Sequence, residues 1–250
     1  MSTLLFCTSY VRDLQAWNER YSRWIGYYRE HNLGANQLLL IDDGSPYVPK
    51  DLLPCLNAET ELDQAQHPVQ LLRFDDRLGR GARLSYPGWW RSFTHSVKVA
   101  RAVGAKKLIH VESDAFVLSA RLRQYIESLD SGWTVLWSHF YNMPETAIQV
   151  ICEDQFDALA EFGDGHWNAF EGRLAEEVLP FTHVSREFIG DRYSEMKRHR
   201  GFLRSRKFDG LFVRTWDNFW QPVPANADFV AQVVEMQWLH SRSLHAALAA

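Results

Sequence analysis

Two carboxylates set two residues apart, Glu112 and Asp114, follow an apolar run at Leu108, Ile109 and Val111 and precede another at Ala115, Phe116, Val117 and Leu118. Acids trapped between hydrophobic segments are costly to desolvate unless something neutralises them. A divalent cation would do so. Hard oxygen ligands suit Mg²⁺ or Mn²⁺, and such ions bridge one or two carboxylates to the phosphates of a substrate. A solvated turn at a strand end is the plainer account of the same triplet. Repetition argues against it. Asp42-Asp43-Gly44-Ser45 follows the apolar stretch 37–41, Asp75-Asp76 ends the stretch 69–74, and Thr8-Ser9-Tyr10 closes the stretch 3–8.

These four stretches read as strands, with the first two linked by a helical pattern. Asp13 can cap that helix, Leu14, Trp17, Tyr21, Trp24, Ile25 and Tyr28 recur at helical spacing, and Gly34 is placed to close it. Strand, helix and strand with short links predict a βαβ unit and a parallel sheet, in which ligands bind at the carboxyl ends of the strands. The region 47–68 predicts one short helix, and 77–88 is a glycine-rich, basic loop holding Arg77, Arg80 and Arg83. A helix is expected from Trp89 to about Val103, ended by Gly104. Further expectations are a helix over 118–129, an antiparallel pair of strands at 133–138 and 147–152, and helices over 153–162, 171–179 and 228–249. The stretch 181–189 is apolar and irregular. Residues 192–207 carry seven Lys or Arg with His199; a solvated helix face and a loop ordering over a bound donor are both open readings.

At 250 residues the chain can bury a substantial core, and 46% hydrophobic with 23% charged residues describes a globular protein. A net charge of −4 gives no reason to expect nucleic acid as a partner. Cys7, Cys55 and Cys152 form neither a disulfide framework nor a zinc pattern, and Cys7 and Cys152 read as buried thiols. No basic segment with a long apolar run opens the chain, and no stretch is long enough to span a bilayer, so the expected location is cytoplasmic.

A strand ending in L-L-L-I-D-D-G-S, followed by a helix and a strand ending in a D-x-D-like triplet, resembles the GT-A nucleotide-sugar glycosyltransferases. The likeness is to the family-2-type members that build bacterial polysaccharides; it covers residues 3–120 well and 130–200 loosely. It implies an α/β domain with a mostly parallel central sheet flanked by helices, over residues 1–205; beyond that the residues themselves predict a helical C-terminal extension over 206–250. It also implies roles for matching residues. Thr8, Ser9 and Tyr10 would line the nucleoside pocket, Asp42 or Asp43 would accept hydrogen bonds from base or ribose, and Asp114 would hold Mg²⁺ or Mn²⁺ on the diphosphate. Glu112 would bind ribose or metal, and His199, with His183 second, would complete the metal shell.

The developing charge on a departing nucleoside diphosphate calls for a cation or basic groups, and Arg77, Arg80 and Arg83 or Arg198 and Arg200 suit phosphate oxygens. An inverting transfer needs a carboxylate base near the acceptor hydroxyl. Glu171 is the first candidate, Asp164 the second, and Glu153 and Asp154 have a smaller claim; a retaining enzyme would need none of them. Trp167 could stack on an acceptor sugar or pack in the core. The implied partners are a nucleotide-sugar donor and a carbohydrate or lipid-linked acceptor, with peripheral membrane contact left open. The alternatives are a non-catalytic nucleotide- or sugar-binding module and a nucleotidyltransferase. The latter lacks support, because the first strand ends in T-S-Y-V-R-D rather than a Gly-rich signature with a basic residue. No G-x-G-x-x-G, G-x-x-x-x-G-K-[ST] or G-x-S-x-G element occurs at the matching position.

Overall fold

The computed structural model describes residues 2–82, 85–139, 141–163, 172–192 and 223–231. Its core is a sheet of eight strands. In chain order these are β1 (Thr3–Ser9), β2 (Gln37–Asp42), β3 (Cys55–Asn57), β4 (Val69–Arg73), β5 (Lys107–Val111), β7 (Trp133–Ser138), β8 (Met143–Cys152) and β9 (His183–Ser185). A second sheet of three short strands is made by β6 (Phe116–Val117), β10 (Gly190–Arg192) and β11 (Phe229–Ala231).

The large sheet has the order β3-β4-β2-β1-β5-β8-β7-β9. The five strands from β3 to β5 are mutually parallel; β8 runs antiparallel to both its neighbours, and β9 is parallel to β7. The architecture is thus α/β with a mostly parallel central sheet flanked by helices, as expected. The apolar runs of β1, β2 and β5 need burial on both faces, and every residue of β1 and β5 is buried. Leu5, Cys7, Leu40, Ile109 and Val111 pack on one face against Trp17, Trp24, Tyr28, Leu122 and Ile126. Leu4, Phe6, Leu39, Ile41 and Leu108 pack on the other against Trp90, Phe93, Val97, Phe156 and Leu159.

From β1 the chain moves outward to β2 and β4, then returns through a long helix to β5 on the other side of β1. The order therefore reverses between β1 and β5. In open α/β sheets a crevice opens at the carboxyl end of such a switch point.

The helices follow local signals. Asp13 Oδ1 accepts the Ala16 N–H, capping α1 (Leu14–Ala16), which continues through a π-helical turn (Trp17–Tyr21) into α2 (Ser22–Glu30). The helix α3 (Pro87–Val103) starts at a proline, whose missing N–H costs nothing there, and ends on Gly104 at φ 70°. Ser119 caps α4 (Ala120–Ser128) by accepting the Leu122 N–H. Two further helices are α5 (Phe156–Glu161) and α6 (Ala175–Val178).

Several expectations are corrected. Gly34 does not close the first helix: α2 ends at Glu30, and Leu33 and Gly34 form a later turn at φ 53° and 73°. The one short helix expected in 47–68 is a 3-10 turn (Leu62–Gln64), and the region also holds β3, because 55–57 completes the sheet edge beside β4. The helix expected over 171–179 is only Ala175–Val178 within the described residues. The helix expected from 228 starts instead as β11, whose apolar Phe229-Val230-Ala231 is buried between β10 and β6. The expected boundary at 205/206 and the rest of the tail lie outside the described residues. Among those residues, no helix is long and apolar enough to cross a membrane.

Candidate active site

Parallel register brings the strand tips to one rim. Ser9 is level with Asp42, Asp42 with Arg73, and Phe6 with His110, which sets Thr8 beside Glu112. Thr8 Oγ1 donates to Glu112 Oε2 at 3.2 Å, across the β1–β5 switch point. The Trp89 indole N–H, from the first turn of α3, donates to Glu112 Oε1. Behind it, the wholly buried His110 places Nε2 3.4 Å from Glu112 Oε1. Burial alone would push Glu112 up; His110, Trp89 and Arg20 together outweigh it and hold the carboxyl below its ordinary range.

The acids of β2 and β4 have other duties. Asp42 is fully buried, accepting from the Ser45 backbone N–H (2.7 Å), Ser45 Oγ (2.5 Å) and Ser9 Oγ (3.0 Å). Its burial pushes it up against those hydrogen bonds. It closes the D-D-G-S turn, with Gly44 at φ 67° where a Cβ would lie 2.3 Å from Asp76 O. Asp43 accepts from the backbone N–H groups of Leu78 (3.2 Å) and Gly79 (2.7 Å) and from Arg91 Nη2 (2.5 Å). Arg91 also binds Asp76 Oδ1 at 2.6 Å, and Asp75 accepts from Asn57. Tyr10 carries the Arg77 guanidinium 3.9 Å above its ring, and Arg80 lies over Tyr86 at 4.8 Å.

A cavity of about 330 Å³ opens at the rim. Arg20, Tyr86, Trp89, Trp90, Glu112 and Asp114 form one wall. Glu145, Thr146, Arg173, Glu176 and Arg192 form much of the other. Asp114 Oδ2 meets Arg20 Nη2 at 2.5 Å. Opposite, Arg192 bridges Glu145 Oε2 (2.7 Å) and Glu176 Oε1 (2.8 Å), and Thr146 Oγ1 donates to Glu176 at 3.0 Å. Burial raises the Glu145 carboxyl, with Arg192 opposing and Glu176 reinforcing.

The structure therefore brings Glu112 and Asp114 to one cavity, while Thr8 does not line it and touches it only through its bond to Glu112. Asp42 and Asp43 do not line it and are held by loop backbone and neighbouring side chains. Glu153 and Asp154 follow β8 at the opposite edge of the sheet, paired with Lys106 and the Gly132 N–H. His183 is exposed on the edge strand β9. Glu171, Asp164, Trp167, His199, Arg83, Arg198 and Arg200 lie outside the described residues.

A divalent cation needs carboxylate oxygens free to bind it. Both oxygens of Glu112 accept hydrogen bonds, Asp114 is ion-paired with Arg20, and among the described residues no three His, Cys, Asp or Glu side chains cluster as a metal shell. In this arrangement the described residues alone do not fit a divalent cation.

The sequence reading missed Arg20, Trp89, Glu145, Glu176 and Arg192. A lone Glu within the apolar run of β8 was the one available signal, since a charged residue on a buried strand needs a partner. Arg20 sits in W-N-E-R-Y, which reads as an ordinary polar helix face.

No family model matches the chain, and no curated protein does. Among solved structures the chain is similar to a glycosyltransferase involved in glycosylation of the major capsid of PBCV-1, at 8% identity and TM-score 0.46, over 98% of this chain and 100% of that one. It is also similar to HddC from Yersinia pseudotuberculosis at 10% identity and TM-score 0.38, over 63% of this chain and 79% of that one. The same protein complexed with GMP-PN gives 10% identity and TM-score 0.38 over 74% and 90%. Likenesses this distant carry no argument about chemistry, which rests on the residues of the site.

Proposed function

We propose that the chain is a GT-A-type glycosyltransferase that moves a sugar from a nucleoside-diphosphate-sugar donor to a glycan or lipid-linked acceptor, with inversion. One observation carries the reading: Glu112, hydrogen-bonded to Thr8 across the β1–β5 switch point, and Asp114 line one cavity walled by Trp89 and Trp90. A carboxylate and a hydroxyl suit a ribose or sugar, and indole faces suit a sugar ring or base. Tyr10 keeps its proposed place beside the base, and Arg77 would have to leave its ring for stacking to occur.

The departing diphosphate needs positive charge in place before the bond breaks. Mg²⁺ or Mn²⁺ on Asp114 remains a proposed source, on the condition that Arg20 first lets that carboxylate go. Arg173, at the cavity wall, is another candidate. The acceptor hydroxyl would lose its proton to Glu171 or Asp164. Glu145 and Glu176 are poorer bases as arranged, because Arg192 holds both.

Thermal shifts with UDP, GDP and dTDP, with and without Mn²⁺, together with turnover of the matching nucleotide sugars, test the reading. Stabilisation by a nucleoside diphosphate and release of that diphosphate during transfer are expected. A non-catalytic binding module is favoured by the donors already on both acids, and stabilisation without any turnover would select it. No response to any nucleotide would remove both readings.

A further inference from the structure

Arg20 belongs to a π-helical turn, closed by the Ser22 N–H on Trp17 O. Such turns are rare and concentrate at functional sites. This one is anchored twice. Trp17 and Tyr21 are buried in the core, and Tyr21 Oη both accepts the Tyr10 N–H (3.0 Å) and donates to Tyr10 O (3.1 Å). The turn is therefore tied to the end of β1, the strand that supplies Thr8. The Arg20 side chain is 47% exposed, at the cavity wall. Its Nη2 reaches Asp114, and that bond uses one of the five N–H donors of a guanidinium. Burial works against its charge, and Asp114, Tyr21 and Glu112 outweigh that, so it stays a cation.

A pair this exposed adds little stability. A rigidly anchored arginine with donors to spare, beside an acid at a switch-point cavity, is better suited to an anion. We propose that Arg20 is a donor-binding residue: the fixed cation of this site, which holds Asp114 in the free protein and takes the β-phosphate when a nucleoside diphosphate enters. The planar fork matches two phosphate oxygens, as an ammonium does not. Affinity for the diphosphate then persists without any divalent ion. The inference rests on the transferase reading above, and concerns binding rather than turnover.

Titration calorimetry with UDP, GDP, dTDP, CDP and ADP, and the matching monophosphates, in EDTA and in Mn²⁺, tests it. The proteins are wild type, Arg20→Met and Arg20→Lys, each checked by melting. Wild type should bind one diphosphate in EDTA, and Arg20→Met should weaken it by about tenfold or more, with Arg20→Lys between. The monophosphate should be hardly affected, since it lacks the β-phosphate; a merely structural Arg20 would weaken both alike.

Binding by wild type only in Mn²⁺, or a diphosphate affinity in Arg20→Met within about twofold of wild type, would overturn the role of Arg20 and leave the transferase reading standing. Equal weakening of mono- and diphosphate would do the same. Failure of all five diphosphates to bind wild type in either buffer would overturn both.

Discussion

Thr8 and Glu112, 104 positions apart in the chain, share a 3.2 Å hydrogen bond at the point where the strand order reverses. That bond joins the outward-going half of the sheet to the returning half. It also fixes one side of the Glu112 carboxylate, while Trp89 and His110 fix the other. An acid so fully constrained can present its charge to a ligand without first ordering itself, which lowers the entropic cost of binding.

Replacing Glu112 with Gln keeps the shape and removes the charge. The Gln oxygen can keep the Trp89 indole, which only donates, and the Thr8 hydroxyl can turn to accept the amide N–H, so what is lost is the charge behind these bonds and the contact with His110, at about 1–3 kcal/mol. Denaturant unfolding of Glu112→Gln should show that loss, and Thr8→Val should not rescue it because Trp89 and His110 are untouched.

Asp114→Asn should behave differently. The Arg20–Asp114 pair is partly exposed, so its loss should shift stability by no more than about 1 kcal/mol. Transfer should nonetheless be abolished, whether Asp114 holds a cation or positions Arg20. Activity within a few-fold of wild type, measured as diphosphate release, would take Asp114 out of the site.

The sheet was legible because parallel strands are buried on both faces, and runs such as Leu38–Leu39–Leu40–Ile41 declare that directly. The convergence of the tips followed from the βαβ pattern. The duties of the tips did not follow. Asp42 and Asp43 look alike beside Glu112 and Asp114 in the sequence, yet Asp42 closes its own turn on Ser45 and Asp43 pins Gly79, contacts set by loop geometry that no spacing reveals. Arg20 and Arg192 were hidden for a related reason. Each meets a cavity partner more than 40 residues away, Asp114 and Glu145 respectively. β11 was misread as a helix because three buried apolar residues carry no period.

Gly88→Ala tests the joint between Asp43 and α3. A Cβ at Gly88 would lie 2.0 Å from Asp43 Oδ2, and that carboxylate cannot easily yield, held as it is by Arg91 and by the Leu78 and Gly79 N–H groups. Overpacking of this kind costs about 1–3 kcal/mol, which a helix preference for Ala offsets by less than about 1 kcal/mol. Thermal melting should register the net loss, and an unchanged or raised midpoint would mean that α3 slides to make room.

His95 sets a slope in stability between neutral and mildly acid pH. It is 7% exposed, packs against Phe74, and its Nε2 lies 2.7 Å from Ala58 O. Burial first, then the charges of Lys98 and Arg91, push its pKa down to about 4 from 6.5, against the hydrogen bond to Ala58. The unfolded chain therefore takes up a proton that the folded one refuses. The stability His95 gives is complete above about pH 6.5 and is lost as pH falls towards 4, by roughly 2–3 kcal/mol. His31, also lowered by burial, adds in the same direction. Asp42 and Glu145, whose burial raises them, act oppositely and gain stability as pH falls. The total slope is thus a mixture, and the difference between wild type and His95→Gln isolates one contributor. Denaturant midpoints at pH 7, 6, 5 and 4.5 should show the two proteins converging as the pH drops; a constant gap would mean that His95 is not the neutral, buried imidazole described.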